Sequence, residues 1–177
     1  MILIIKTNKY KLHDLEFVKP IEDTLIKNKI KFKTKHYNKI KKSDLNVDKI
    51  IISGTSLKDN QYLENLNKFQ WIKNFNKPLL GICGGMQIIA LVFGANIKNK
   101  QEIGFYKENF TKKFLGLKGK QEVYHLHNNY IPLSKDFIKF TDSKIPQAIK
   151  HKTKPIYGVL FHPEVRNKEM IIEFCKL

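Results

Sequence analysis

Three side chains, Cys83, His162 and Glu164, have the types and surroundings for covalent acyl chemistry. Cys83 lies in "PLLGICGGMQIIALVFG", where a short apolar run reaches a glycine, the cysteine follows, and a glycine pair opens a second apolar run. Glycines there permit a tight strand-to-helix turn that projects the thiol outward, the geometry of nucleophile elbows built around serine. The free N–H groups and positive dipole end of the following helix favour a thiolate, the nucleophilic form of cysteine. The amide of Gly84 would face an oxyanion formed on a carbonyl that Cys83 attacks. His162 closes the apolar run "IYGVLFH", with Pro163 and Glu164 behind it. A nucleophilic thiol needs a base, and the base needs a third group to hold its tautomer and orientation. Each motif alone has a bland reading, since a free cysteine is commonly a small buried hydrophobe and a His-x-Glu is commonly a surface pair. Together they read as nucleophile, base and orienter.

These residues need a scaffold that brings positions 83 and 162 to one edge. The runs ILII (2–5), DKIIISG (48–54) and PLLGI (78–82) have the continuous apolar character of strands buried on both faces. KFKTKHY (31–37) alternates weakly and reads as an edge strand guarded by lysines. Between them, 15–29 and 61–75 carry helical spacing, with Pro20 placed in a first turn and Lys77-Pro78 as a stop. A mostly apolar helix then runs to Phe93, with Gly94 at its end. Strand alternating with helix implies an α/β fold: an open, mostly parallel central sheet with helices on both faces, flavodoxin-like in layout. Open sheets of this kind place their ligands at the carboxyl edge, where Cys83 falls. Residues 102–165 carry short β-like runs instead and predict antiparallel hairpins added to the sheet, closed by a helix over 167–176. No repeat or linker interrupts the chain, so 1–177 reads as one domain.

Composition narrows the function. The formal net charge is +17, yet Arg166 is the only arginine. Bidentate recognition of bases and phosphates favours arginine, so the lysines read as a solvated basic surface and nucleic-acid binding ranks last. No segment is long and apolar enough to span a membrane, and "MILIIKTNKYK" reads as a first strand, not a signal peptide. Two cysteines make no disulfide framework, which points to a reducing cytoplasm. No cofactor and no metal-ligand set is read from the sequence.

The motifs GICGGMQ (81–87), GVLFHPEV (158–165) and the loop IISGTS (51–56) resemble the class I glutamine amidotransferases, whose glutaminase domains use a Cys-His-Glu triad. The resemblance implies Cys83 as nucleophile, His162 as general base and then acid, and Glu164 as its orienting partner. It implies oxyanion amides from Gly84 and from Gly54 or Thr55, although the family commonly has two glycines and a proline where this chain has Gly54-Thr55-Ser56. Gln87 matches a position that helps hold the substrate glutamine. YHLHNN (124–129) falls at the segment that binds the amino-acid end of glutamine, with Tyr124 and His127 favoured over His125 as lining residues. His13, His36 and His151 match nothing and read as surface residues, and Cys175 reads as core. The implied activity is glutamine hydrolysis through a thioester, with ammonia passed to a separate ATP-dependent synthetase subunit, since no G-x-x-x-x-G-K loop is present. The short length and residues 147–165 most resemble the stand-alone glutaminase subunits of archaeal GMP synthases, which aminate XMP. The rival expectations are a stand-alone γ-glutamyl hydrolase on the same fold and a non-catalytic regulatory relative.

Overall fold

The computed structural model describes every residue from 1 to 177. Nine strands are formed: β1 (Ile2–Lys6), β2 (Phe32–His36), β3 (Lys49–Ile52), β4 (Leu79–Ile82), β5 (Lys98–Phe114), β6 (Leu117–Tyr130), β7 (Phe137–Lys139), β8 (Ala148–His151) and β9 (Ile156–Val159). Seven of them make one sheet in the order β2-β1-β3-β4-β9-β8-β7. The first five in that order are mutually parallel; β8 and β7 are added antiparallel at one edge. The lysine-bearing strand β2 is the opposite edge, as its weak alternation predicts.

Successive strand side chains point to opposite faces, so a strand apolar at every position feeds two cores. Ile2, Ile4, Ile51 and Leu80 face one cluster with Ile21, Leu25, Met170 and Phe174. Leu3, Ile5, Ile50 and Ile52 face the other with Phe69, Ile72, Ile88 and Ile89. The helices that cover these faces are α1 (Asp14–Phe17), α2 (Lys19–Lys27), α3 (Gln61–Glu64), α4 (Gly84–Val92) and α5 (Lys168–Lys176).

Three expectations change in detail. The helix expected over 15–29 is broken at Val18, and Pro20 sits in the first turn of α2. A proline inside one continuous helix would have removed a backbone bond, so the chain restarts instead. The helix expected over 61–75 is one α turn followed by a 3₁₀ run over Leu66–Asn74. The break falls at Asn65, whose side-chain amide donates to the Gln61 carbonyl at 2.9 Å and competes with the backbone ladder. The β5–β6 hairpin is not added to the main sheet. It is a separate antiparallel ribbon, reversed through Leu115 (φ 44°) and Gly116 (φ 87°), whose consecutive positive φ angles suit the twist of a tight hairpin turn. A bridge from Phe110 to Thr141 and a bond from the His162 amide to the Tyr124 carbonyl, 2.8 Å, tie it to the body of the molecule.

Candidate active site

Strand β4 ends at Ile82 and α4 begins at Gly84, so Cys83 alone makes the turn between them. Its backbone lies at φ 48°, ψ −105°, a conformation that costs a residue with a Cβ on the order of 1–3 kcal/mol. The surroundings hold it there: the Cys83 amide donates to the Val159 carbonyl at 2.7 Å, and its own carbonyl accepts from the Gln87 amide at 3.1 Å. Gly85 lets α4 come down onto β3, since a Cβ there would meet the backbone of Ile52. The strain is the cost of aiming a thiol at the carboxyl edge of the sheet.

His162 follows β9, the strand beside β4, so parallel pairing alone brings it to the same edge. Its Nδ1 lies 2.7 Å from Glu164 Oε1, with both side chains essentially out of solvent. A carboxylate at that nitrogen fixes the tautomer with the proton on Nδ1 and leaves Nε2 for proton transfer. Nε2 has no hydrogen-bond partner within the protein. The Cys83 Sγ is directed at the Leu126 carbonyl, 3.6 Å away. Thiol–imidazole bonds of this type commonly tighten only when substrate binds. Burial, the largest single influence on His162, pulls its pKa down. The negative charge of Glu164 and the sulfur of Cys83 outweigh it, and the imidazole titrates well above its ordinary range. Phe17 packs against the ring at 5.4 Å.

The loop after β3 completes the constellation. A Cβ on Gly54 would lie 2.8 Å from His162 Cε1 and 3.3 Å from Cys83 Cβ, so only a bare α-carbon fits between them. Thr55 stands where glycine is common, yet it is not among the positive-φ residues, so the β-branched side chain meets no backbone conflict. Its hydroxyl donates to Asp59 Oδ2 at 3.0 Å, and its methyl lies 3.5 Å from the position a Cβ on Gly84 would take. The amides of Thr55 and Gly84 make no hydrogen bond within the protein.

A narrow cleft, about 20 Å³ in volume, opens over Cys83 between Thr55, Tyr62, Gly84, Gln87 and the Leu126–Asn129 segment of β6. Gln87 is held at both ends: its Oε1 accepts from the Tyr62 hydroxyl at 2.5 Å, and its Nε2 donates to the Asn129 carbonyl at 2.9 Å. The structure therefore brings Cys83, His162, Glu164, Gly54, Thr55, Gly84, Gln87 and His127 to one place. Tyr124 differs: its ring packs on Phe105 at 5.1 Å and does not line the cleft, because residues 124 and 127 fall on opposite faces of the strand. Only its carbonyl takes part, as the acceptor for the His162 amide. His151 is buried between Phe93 and Phe137, not at the surface. Cys175 is half-buried, and burial pushes its thiol up to about 11. Tyr62 and Asp59 carry no motif of their own, and the sequence offered no signal for them.

Comparison with known proteins agrees with this geometry. The family described as glutamine amidotransferase class-I matches residues 11–176. A glutamine-hydrolyzing GMP synthase subunit from Thermoplasma acidophilum is 34% identical over 142 residues, covering 75% of this chain and 71% of that one. The protein of the same name from Picrophilus torridus is also 34% identical, over 69% of this chain and 70% of its own length. Among solved structures, a Thermoplasma acidophilum protein described as a GMP synthase subunit superposes with a TM-score of 0.84 at 29% identity, covering 99% of this chain and 93% of that one.

Proposed function

This chain belongs to the class I glutamine amidotransferases, and on that premise we propose that it is the glutaminase subunit of a two-subunit GMP synthase. The observation that carries the reading is the buried His162–Glu164 pair, 2.7 Å apart, set at the sheet edge beside a strained cysteine. The Cys83 thiol passes its proton to His162 Nε2 and its sulfur attacks the side-chain carbonyl of glutamine, and the oxyanion is held by the amides of Gly84 and of Gly54 or Thr55. His162 gives its Nε2 proton to the departing ammonia, leaving a glutamyl thioester on Cys83. It then takes a proton from water, whose oxygen displaces the thiolate and releases glutamate. Glu164 holds the imidazole through both halves. Gln87, clamped by Tyr62 and Asn129, and His127 form the wall against which glutamine is positioned. The ammonia goes to a separate ATP-dependent synthetase subunit that aminates XMP.

The test pairs this chain with the synthetase subunit, XMP and ATP and follows GMP formation. Cys83→Ala should lower the glutamine-dependent rate by about 10³-fold or more and leave the ammonia-dependent rate intact. Labelling by a glutamine-analogue diazo-ketone should fall on Cys83, spare Cys175 and be blocked by glutamine. Glutamine hydrolysis that persists in Cys83→Ala would remove the triad reading. Hydrolysis that needs Cys83 but never supports GMP formation would favour the stand-alone γ-glutamyl hydrolase.

A further inference from the structure

Three side chains of the β5–β6 ribbon, two buried histidines and a partly buried glutamate, converge on one point, and the triad uses none of them. Glu102 on β5 stands opposite His127 on β6, and His125 lies two residues along the same face. Glu102 Oε2 is 3.0 Å from His125 Nδ1 and 3.1 Å from His127 Nε2. His125 is 0% exposed and His127 2%. The Gln147 Nε2 donates to the same Glu102 oxygen at 2.8 Å, and Glu108 Oε1 stands 3.6 Å from the other nitrogen of His125.

The protons decide how this cluster works. A neutral imidazole carries one N–H and one lone pair. His125 Nδ1 is hydrogen-bonded to Glu102, whereas His125 Nε2 and both ring nitrogens of His127 are buried with no hydrogen-bond partner in the protein. With the tautomers protonated on His125 Nε2 and His127 Nδ1, three lone-pair atoms face one another, an arrangement that a cation among them would satisfy. In that state the His125 Nε2–H faces Glu108 Oε1 at 3.6 Å, longer than a hydrogen bond, so a small approach on metal binding would make the carboxylate–histidine–metal pattern. Separations of 3.0 and 3.1 Å approach the edge of a tetrahedral set whose bonds are about 2.0–2.1 Å. We propose that Glu102, His125 and His127 bind a divalent transition-metal ion of the zinc class. Two imidazoles and one carboxylate suit such an ion better than magnesium or calcium. Bound there, it clips β5 to β6 next to the segment that walls the cleft, a positional role that does not depend on the glutaminase reading.

The test titrates the full chain, stripped with a chelator, with zinc by calorimetry and with cobalt by visible absorption. One equivalent should bind, with a cobalt spectrum of nitrogen and oxygen ligands and no thiolate charge-transfer band. His125→Ala and the near-isosteric Glu102→Gln should each weaken binding by on the order of 100-fold or more, and Cys83→Ser should not. Should His125→Ala fail to fold, Glu102→Gln and the rise in wild-type Tm with zinc carry the same decision. Lack of stoichiometric binding would overturn the proposal and leave Glu102 hydrogen-bonded to His125 with His127 packed beside it. Binding unchanged in Glu102→Gln, or a thiolate band lost in Cys83→Ser, would also overturn it by placing the ion elsewhere.

Discussion

Gly54 is the residue on which the alignment of thiol and imidazole turns. It adopts no positive φ, so alanine there is conformationally permitted and the conflict is purely one of space. Gly54→Ala should displace the His162 ring and cut kcat by about 10²-fold while the chain still folds, checked by glutaminase assay beside a thermal melt. A wild-type kcat would mean that the imidazole has room the structure denies it. At this scale the sequence was legible wherever function is local. Cys83 between glycines and His162 two residues from Glu164 declare themselves in short windows. Glu102 and His125 do not, because they are 23 residues apart and meet only through the ribbon register. Tyr124 went astray for a related reason: a strand separates neighbours three apart, and the family motif does not state which face the cleft occupies.

At the scale of elements, the edge strand β2 shows how charge is spent. Lys33 and Lys35 project from it, and both bind Asp44, which also accepts the Lys41 amide at 2.9 Å at the start of the 3₁₀ turn Lys42–Leu45. Lys35 foremost, then that amide, hold the Asp44 carboxyl at about 2, below its ordinary 3.8. A carboxyl depressed in the folded state stabilises it above the unfolded pKa, and this is lost as pH falls through the folded value. Asp44→Asn should therefore lower Tm by a few degrees at pH 7, with the gap to wild type closing between about pH 4 and pH 2. A gap independent of pH would assign the effect to the amide bond alone. The parallel strands were legible because unbroken isoleucine and leucine runs have no other use in so short a span. The 3₁₀ run and the detached ribbon were not, since Asn65 acts through a side-chain bond and a charged ribbon looks like any edge strand until its partner is known.

For the whole molecule, the decisive fact is that one sheet is covered from both sides by elements drawn from both ends of the chain. The last helix lays Met170, Ile171 and Phe174 against the first strand and α2, all with no measurable exposure. Phe174→Ala should cost about 3–5 kcal/mol in urea unfolding. A loss under about 1 kcal/mol would show that α5 is dispensable to that core. The topology could be read up to β4 from alternating patterns, but not that β9 would return beside it, because strand order is fixed by three-dimensional packing across a long excursion. That excursion, the ribbon, has a consequence for how the gene can change. Its side chains alternate, so parity decides whether His125 and His127 face inward and on which side the cleft wall lies. A single-codon insertion or deletion in either arm between the tip and Glu102 or His127 that no bulge absorbs would turn the cluster inside out, whereas a matched pair of codons beside the tip would merely move the turn. Descent can lengthen this ribbon in balanced steps, or by single residues where a bulge takes them up, as the irregularity between Asn99 and Glu102 already does.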